Sequence, residues 1–239
     1  MTEKEILKKL KSQANPKNVA GMARFGIRPK SKVLGVPMPA LRKIAKEACK
    51  NPSFAKAPKG KHVLAQQLWQ SGIHEAKILA SMVEDIKMVN GAQMDKWAAG
   101  FDSWDVCDQV CLNLFFNHPL ILKKCAEWPN KKSEFIRRAG FALMAAAAFK
   151  NKQAKDGDFI KFFQLIKKYA RDERNYVKKS VNWALRQIGK RNLNLNKKTI
   201  MLAREIAKID SRAARWIAAD ALRELQGEQV QKRLRGIVS

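Results

Sequence analysis

The sequence of 239 residues is poor in acidic side chains and has no long apolar run. It contains 21 Asp and Glu against 48 Lys and Arg, which gives a formal net charge of +27 at pH 7. The longest apolar run, Ala139 to Phe149, has eleven residues, whereas a helix that crosses a membrane needs about 20. The sequence therefore predicts no membrane-spanning helix and a buried helical core over that run.

Cysteine and histidine are scarce, and neither follows the spacing of a metal site. The chain has four cysteines and three histidines: Cys49, Cys107, Cys111, Cys125, His62, His74 and His118. Cys107 and Cys111 lie close to His118 in the sequence, but the spacing is not that of zinc knuckles or ribbons. The histidines occur in unrelated contexts, and no glycine-rich phosphate loop or serine elbow is present. We therefore expect no metal and no cofactor.

Signals for export are also missing. The first residues carry acidic side chains and no apolar signal core, and the cysteines do not form the pattern of a secreted disulfide framework. We expect a protein of the reducing cytoplasm.

The large excess of basic residues indicates a polyanionic partner. Positive charge recurs along nearly the whole chain, which favours phosphate contacts with a nucleic acid and a salt-sensitive association. An anionic membrane surface is the competing partner, but membrane binding is typical of one basic amphipathic segment with aromatic anchors. We predict binding to double-stranded DNA and no membrane association.

Helix is the only recurrent secondary-structure signal, because apolar residues return at three- and four-residue spacing. Helix starts are marked by caps and first-turn prolines: Thr2 with Glu5, Asn15–Pro16, Met38–Pro39 and Pro119. No proline follows Pro129, and Gly157 marks one of the few breaks in that half.

The second half resembles itself at a nearly fixed offset. Residues 135–139 align with 176–180, and residues 183–186 align with 220–223, offsets of 41 and 37. Periods of about 40 residues are typical of HEAT-like arrays; chance likeness between amphipathic helices is the alternative. We predict an all-α fold, a curved α-solenoid of HEAT-like repeats, forming a single domain over residues 1–239 and a monomer.

Basic pairs recur at the start of one helix in each repeat. They are Arg137 with Arg138, Lys178 with Lys179, and Arg212 with Arg215. A concave face lined in this way can hold a duplex by its backbone. Any single pair is equally typical of an ordinary solvated helix face, so the recurrence carries the prediction.

A short acidic segment, residues 101–108, stands out in this basic chain. Trp104 and Asp108 are four residues apart, so an indole and a carboxylate share one helical face. Asp102 is placed to cap that helix. A carboxylate about 4 Å from a cationic sugar in a transition state contributes roughly 4 kcal/mol at an effective dielectric of about 20, close to a thousandfold in rate. The segment therefore predicts a site that stabilises positive charge.

Four segments together carry a specific resemblance: Val36–Arg42, Ser103–Asp108, Arg137–Ala139 and Asn182–Arg186. With them, the sequence resembles the DNA alkylation repair family of HEAT-like repeat glycosylases, the AlkD-type enzymes, over nearly its whole length. The resemblance implies a monofunctional glycosylase for 3-methyladenine and 7-methylguanine in DNA, acting in base excision repair without metal or cofactor.

The resemblance also implies roles for individual residues. Asp108 matches the catalytic carboxylate, and Trp104 matches the tryptophan beside the lesion sugar. Arg138 matches the arginine that pairs with the carboxylate and reaches a phosphate, while Trp183 matches a second aromatic wall. Phe25 stands where the family carries a tyrosine, which keeps the ring and removes a hydroxyl hydrogen bond.

Three alternatives stay open at the level of sequence. Asp108 and Arg138 are also compatible with a structural ion pair, and Trp104 and Trp183 with core packing. The whole chain is compatible with a non-catalytic HEAT-like protein that binds branched or damaged DNA. An RNA-binding repeat protein fits the charge equally well but leaves the acidic segment unexplained.

Overall fold

The computed structural model describes residues 1–50 and 58–236, and this part of the chain is helical almost throughout. The α-helices are α1 (Glu3–Ser12), α2 (Pro16–Arg24), α3 (Met38–Cys49), α4 (Pro58–Gln70), α5 (His74–Val83), α6 (Gly91–Ala99), α7 (Trp104–Asn113), α8 (Ile121–Glu127), α9 (Glu134–Lys150), α10 (Asp156–Ile160), α11 (Phe163–Tyr169), α12 (Asn175–Gly189), α13 (Leu193–Ala207), α14 (Arg212–Gln226) and α15 (Glu228–Leu234). Short 3₁₀ helices cover Ile86–Met88, Phe115–Asn117 and Trp128–Asn130. Within residues 1–50 and 58–236, β structure is limited to an isolated bridge of Lys32 with Ile73. The predicted all-α fold is confirmed.

The chain forms two compact units, Met1–His118 and Pro119–Ser239. Within the described ranges, no helix is both long and apolar enough to cross a membrane.

The first two helices begin as their sequences predict. Thr2 and Glu5 form a reciprocal capping box at α1, which satisfies two backbone donors that the helix leaves open. The side chain of Asn15 accepts a hydrogen bond from the backbone of Asn18 at the start of α2, with Pro16 in the first turn. Both predicted caps are confirmed.

Other predicted helix boundaries shift. α3 already includes Met38, and its N-cap is Pro37, which makes no side-chain cap bond. Pro119 precedes the first residue of α8, Ile121, by two positions. The prediction of a break at Gly157 is wrong, because this glycine lies inside α10. Two flanking aspartates support the first turn of that helix, since acidic side chains stabilise helix N-termini.

In the first unit, α5 is the central helix. It packs against α3, α4 and α7, and nearly all its side chains are buried. Trp69 and Trp97 stack beside it with ring centroids 4.3 Å apart, and Phe101 meets Trp69 edge-on at 6.1 Å. Because α5 is enclosed on several sides, the polar residues at its start, His74 and Glu75, are buried as well.

In the second unit, α9 packs against α12, and α12 packs against α14. The apolar run predicted as a buried core lies on α9 and is fully buried from Ala139 to Ala147, while Phe149 at its end is 46% exposed. Hydrogen bonds tie side chains to partners 38 residues further along the chain: Arg138 to the Tyr176 carbonyl, Lys167 to Glu205, Glu173 to Ser211, Asn182 to Asp220, and Arg186 to Glu224. The recurrence of this separation is the structural signature of the HEAT-like repeat that the sequence predicts.

Candidate functional site

The acidic segment folds as predicted into a helix that carries both key side chains. Trp104 is the first residue of α7, and Asp108 lies one turn later on the same side. Both are partly exposed, whereas Cys107 and Val110 on the inner side of the helix are fully buried. The amphipathic pattern of α7 thus places an indole and a carboxylate together at the surface of the first unit.

Trp104 is held in place by the end of α2. Its indole N–H donates a hydrogen bond to the backbone carbonyl of Phe25 over 3.1 Å, although the two residues are 79 positions apart. Phe25 is the C-cap of α2, and its side chain is 78% exposed. The structure therefore brings together two of the predicted site residues, with an aromatic ring directed to solvent beside an oriented indole.

Asp102 does not cap α7, so that prediction is wrong. The N-cap is Ser103, and Asp102 accepts hydrogen bonds from the Ser31 backbone N–H at 3.1 Å and the Ser31 hydroxyl at 2.6 Å. Its carboxylate also pairs with Lys77 at 3.1 Å. Burial raises the pKa of Asp102, but the Ser31 hydrogen bonds and the Lys77 charge outweigh it and hold the pKa below its usual value. The hydrogen bonds between Ser31 and Asp102 hold the loop before α3 against the start of α7.

The neighbouring carboxylate, Asp105, pairs with a buried histidine. The Nε2 of His74 lies 2.7 Å from Oδ2 of Asp105, and His74 is 0% exposed. Burial raises the pKa of Asp105, but the hydrogen bond and charge of His74 outweigh it and lower the pKa. Hydrogen bonds from the Ser103 side chain and the Val106 backbone also hold the Asp105 carboxylate. His74, to which the sequence assigned no role, therefore lies against the acidic segment.

The next residue on α5, Glu75, binds a run of backbone N–H groups. Its carboxylate accepts hydrogen bonds from Leu34 at 3.0 Å, Gly35 at 2.6 Å and Val36 at 3.4 Å. Gly35 has a φ of +77°, and a Cβ there would lie 2.3 Å from the carbonyl oxygen of Asn15. Only glycine fits this conformation and this close approach. Glu75 and Gly35 together fix the path of the chain into α3.

These groups surround a cavity of about 550 Å³ in the first unit. Its polar lining includes His74, Glu75, Asp105 and Gln109, and its aromatic lining includes Phe25 and Trp104. The volume lies within the range of about 300–1,000 Å³ that is typical of small-molecule sites. A pocket with buried carboxylates and aromatic walls thus adjoins the predicted site helix.

In the second unit, the two arginines predicted as site residues are held by protein groups. Arg138 is 6% exposed and donates to the Tyr176 carbonyl at 2.8 Å. Arg137 donates to Asp172 at 2.6 Å, and its guanidinium lies 4.3 Å from the ring centroid of Tyr169. These contacts orient the Arg137 guanidinium, because a planar donor with two fixed partners has little rotational freedom left.

The lysine pair and Trp183 lie on α12. Lys178 is partly exposed and Lys179 exposed, and the Lys178 ammonium lies 5.1 Å from the ring centroid of Trp216 on α14. Trp183 is partly buried. Arg137–Arg138 and Lys178–Lys179 occupy the same positions, fourth and fifth, of α9 and α12. The basic pairs therefore recur in register between repeats.

Within the described ranges, no group of three or more His, Cys, Asp and Glu side chains is arranged to hold a metal ion. Cys107, Cys111 and Cys125 are buried, and burial raises the pKa of the Cys125 thiol.

Comparison with known proteins assigns the family. A family model described as DNA alkylation repair enzyme matches residues 6–225. The chain belongs to the DNA alkylation repair enzyme family.

Two solved structures share the fold of this DNA alkylation repair family member. One is described as "a new family of proteins related to the HEAT-like repeat DNA glycosylases with affinity for branched DNA structures"; it has a TM-score of 0.78 and 18% identity, covering 98% of this chain and 96% of its own. The other is a "predicted DNA alkylation repair enzyme from Enterococcus faecalis", with a TM-score of 0.67 and 16% identity, covering 87% of this chain and 95% of its own. No curated protein matches the chain.

Sequence reasoning missed the polar pocket and one aromatic residue of this family member. His74 and Asp105 are 31 residues apart, and no local pattern joins them. Trp216 could have been found from the repeat register. It occupies the fifth position of α14, and the fifth positions of α9 and α12 carry the second residue of each basic pair.

Proposed function

We propose that this member of the family is a monofunctional DNA glycosylase that hydrolyses the N-glycosidic bond of cationic alkylated purines, 3-methyladenine and 7-methylguanine, in duplex DNA. It would act in the cytoplasm as a monomer and a single functional domain, without metal or cofactor. The observation that carries the proposal is the pair of Trp104 and Asp108, one turn apart on the partly exposed side of α7.

The chemistry of the substrate makes this pair sufficient for the proposed reaction. An alkylated purine is already a cation, so its departure needs no strong general acid. Positive charge instead develops on the deoxyribose, where the Asp108 carboxylate stabilises it. Water attacks C1′ as the bond from C1′ to the purine nitrogen breaks; the electron pair leaves with the purine, and Asp108 accepts the proton of the water.

The aromatic residues supply the second part of the proposal. An indole face attracts a cationic ring or sugar through its quadrupole, and the hydrogen bond to the Phe25 carbonyl fixes the orientation of Trp104. Phe25 extends this surface with a largely exposed ring. Trp183 and Arg138 are proposed as the second aromatic wall and the contact to phosphate.

The net charge of +27 supports a polyanionic substrate. Arg137, Lys178 and Lys179 are proposed as backbone contacts, because the basic positions recur in register on α9 and α12. Phosphate contacts of this kind position a duplex without reading its sequence.

The test is single-turnover release of 7-methylguanine and 3-methyladenine from methylated duplex DNA. Asp108→Asn is expected to reduce release by roughly a hundredfold or more while DNA binding is retained, and Trp104→Ala by a smaller factor. The matched control is Asp85→Asn, which makes the same change of charge in the same unit. Asp85 caps a 3₁₀ helix, and asparagine caps equally well. Release of uracil, a neutral base, or full activity of Asp108→Asn contradicts the proposal.

A second candidate function is binding of branched or damaged DNA without catalysis. Two observations favour it: Phe25 lacks a tyrosine hydroxyl, and the structural neighbour that covers 98% of this chain is described as having affinity for branched DNA. Tight binding to a four-way junction, with no base released by the wild type, supports this candidate. Competition with duplex RNA distinguishes both candidates from an RNA-binding protein.

A further inference from the structure

Trp216 is a large aromatic residue that lies outside the core of the second unit. The buried face of α14 is built from small and aliphatic side chains: Ala213, Ala214, Ile217, Ala218, Ala221 and Leu225. Trp216 is not part of this face, and 40% of its surface is exposed. Tryptophan is a highly buried residue on average, and it contributes strongly to cores and interfaces. An indole on the outer side of a helix is therefore available to a partner.

Basic side chains surround this indole. The Lys178 ammonium lies 5.1 Å from the ring centroid of Trp216, and the next residue of α12, Lys179, is exposed. Arg212 precedes Trp216 by one turn of α14, so the two side chains share one side of the helix. Arg212 and Arg215 are both exposed. We call these four cations and the indole the Trp216 cluster.

The carboxylates near the Trp216 cluster already have partners. Glu173 accepts hydrogen bonds from the Ser211 hydroxyl at 2.7 Å and from the Ala213 backbone N–H at 3.0 Å. Asp210 pairs with Arg215 at 3.0 Å. The start of α14 is thus capped from within the protein, and an anion would meet the side chains of the cluster. Four cations outnumber these two carboxylates, which leaves a positive surface that suits phosphate groups.

The repeat register shows how α14 differs from the helices before it. The fourth and fifth positions carry two cations in α9 and in α12, but Arg215 and Trp216 in α14. Contacts to a DNA backbone need cations and no aromatic ring. In a duplex the faces of each base are covered by its neighbours, so an indole can stack only on a base that is out of the stack. The α14 position therefore suits a strand with an unpaired base.

We propose that the Trp216 cluster binds an unpaired base of a DNA strand, with the base stacked on the indole and neighbouring phosphates bound by Arg212 and Arg215. Aromatic platforms among cations bind single strands in this way without reading their sequence. The site goes beyond the proposed glycosylase reaction, which is assigned to α7 of the first unit, and does not depend on it. Its ligand is single-stranded DNA, as it occurs at a gap, a flap or a branch.

Binding of an unmethylated single strand tests the site without the glycosylase reaction. The probe is a short, fluorescently labelled oligothymidylate, and the comparison is a strand of equal length in which abasic units replace the thymidines. Fluorescence anisotropy at low salt gives both affinities. We expect the wild type to bind the thymidine strand roughly tenfold more tightly, the order of magnitude that one stacked base contributes.

Substitutions of Trp216 locate this preference. Trp216→Leu should reduce the preference for the thymidine strand roughly fivefold or more and leave binding of the abasic strand unchanged. Leucine is a strong helix former, and Trp216 lies outside the buried face of α14, so the fold is retained. Trp216→Phe keeps an aromatic ring and should retain most of the preference.

The matched control is Phe149→Leu, which should leave the preference unchanged. Phe149 is another exposed aromatic residue of the second unit, 46% exposed, and the Lys150 ammonium lies 5.8 Å from its ring centroid. It lies at the end of α9, away from the fourth and fifth positions. This variant therefore removes an exposed ring beside a lysine without touching the register of the basic positions.

Each other outcome overturns the inference. The first is a wild type without preference for the thymidine strand, or a preference that survives in Trp216→Leu or falls equally in Phe149→Leu. An equal loss of affinity for both strands in Trp216→Leu would mean that the indole contacts sugar or phosphate and not a base. A Trp216 effect confined to an oligouridylate, or to vesicles of anionic lipid, would replace DNA by RNA or by a membrane. Release of methylated purines is measured separately, so the two proposals can fail independently.

Discussion

The two units of this protein use buried charge in different ways. In the second unit, Asp172 accepts hydrogen bonds from Arg137 and Arg174, and Glu224 from Arg186 and Lys190. Each of these two carboxylates is therefore paired with two cations of the same unit. In the first unit, Asp105 is paired instead with His74, whose side chain is fully buried.

The difference teaches where a repeat protein acquires chemistry. Contacts that recur at a separation of 38 residues stabilise the stacking of one repeat on the next. The His74–Asp105 contact joins residues that are 31 positions apart instead, and it lies beside the cavity. In a repeat protein, positions that depart from the recurring pattern are expected at functional sites rather than at contacts that only stack the repeats.

The largest expected effect on stability concerns the first unit. Gly35→Ala should lower the free energy of unfolding by about 3 kcal/mol, because a Cβ would collide with the Asn15 carbonyl and the backbone has a positive φ. Urea unfolding measures the change, and hydrogen exchange shows which unit loosens.

The control for this change is Gly72→Ala. Gly72 has a similar φ of +72° but open space around its Cβ, so a loss of about 1 kcal/mol is expected. Equal losses at both positions would show that the close packing around Gly35 contributes nothing. If Gly35→Ala increased hydrogen exchange in both units, the effect of this substitution would not be confined to the first unit, contrary to the expectation.

An intermediate effect is expected in the second unit. Asp172→Asn should reduce the free energy of unfolding by about 2 kcal/mol. The reason is that the neutral amide replaces a carboxylate that accepts charge-assisted hydrogen bonds from two arginines. Burial raises the pKa of Asp172, but Arg174 and Arg137 outweigh it and lower the pKa below the unfolded value. The stabilisation is therefore present above the unfolded pKa and is lost as the pH falls through the folded pKa.

Unfolding of wild type and Asp172→Asn at neutral and acidic pH checks this sign. The difference between them should be constant near neutrality and disappear in acid. Glu205→Gln is the control, because Glu205 pairs with Lys167 at the surface, where ion pairs contribute little. A difference that grows in acid would contradict the assigned direction of the pKa.

The smallest effect concerns DNA binding and separates two neighbouring lysines. Lys179→Met should reduce the slope of the logarithm of the binding constant against the logarithm of the salt concentration by about 1. It should leave stability unchanged, because Lys179 is exposed. Lys178→Met should change the slope similarly and also lower stability by about 0.5–1 kcal/mol, since the Lys178 ammonium lies over Trp216. Salt titrations of duplex binding measure the slopes. An unchanged slope in both variants would contradict the proposed contacts of Lys178 and Lys179 with the DNA backbone.

Much of the architecture could be predicted from local patterns. Apolar periodicity predicted helices, the Thr2 and Asn15 caps located two of their starts, and the offset of about 40 residues predicted the repeat. These features depend on residues that are near in sequence or related by a fixed offset. The α7 helix likewise followed from the i, i+4 spacing of Trp104 and Asp108.

The missed features depend on contacts between distant segments. Asp102 resembled a helix cap locally, but the loop around Ser31 offered it two donors and Lys77 a charge. His74 became part of the site because the packing of α5 against α7 brought it to Asp105. No spacing rule predicts such a meeting, since it depends on how helices pack.

The recurrent separation of 38 residues has an evolutionary consequence. A duplicated stretch of one repeat in the second unit would bring its own donors and acceptors in the same register, so each new helix would meet partners of the kind that its neighbours already have. The second unit can therefore change length in whole repeats without a new set of interactions. The pocket around His74 and Asp105 has no such freedom, because this pair is 31 residues apart and a shift by one repeat would not reproduce it.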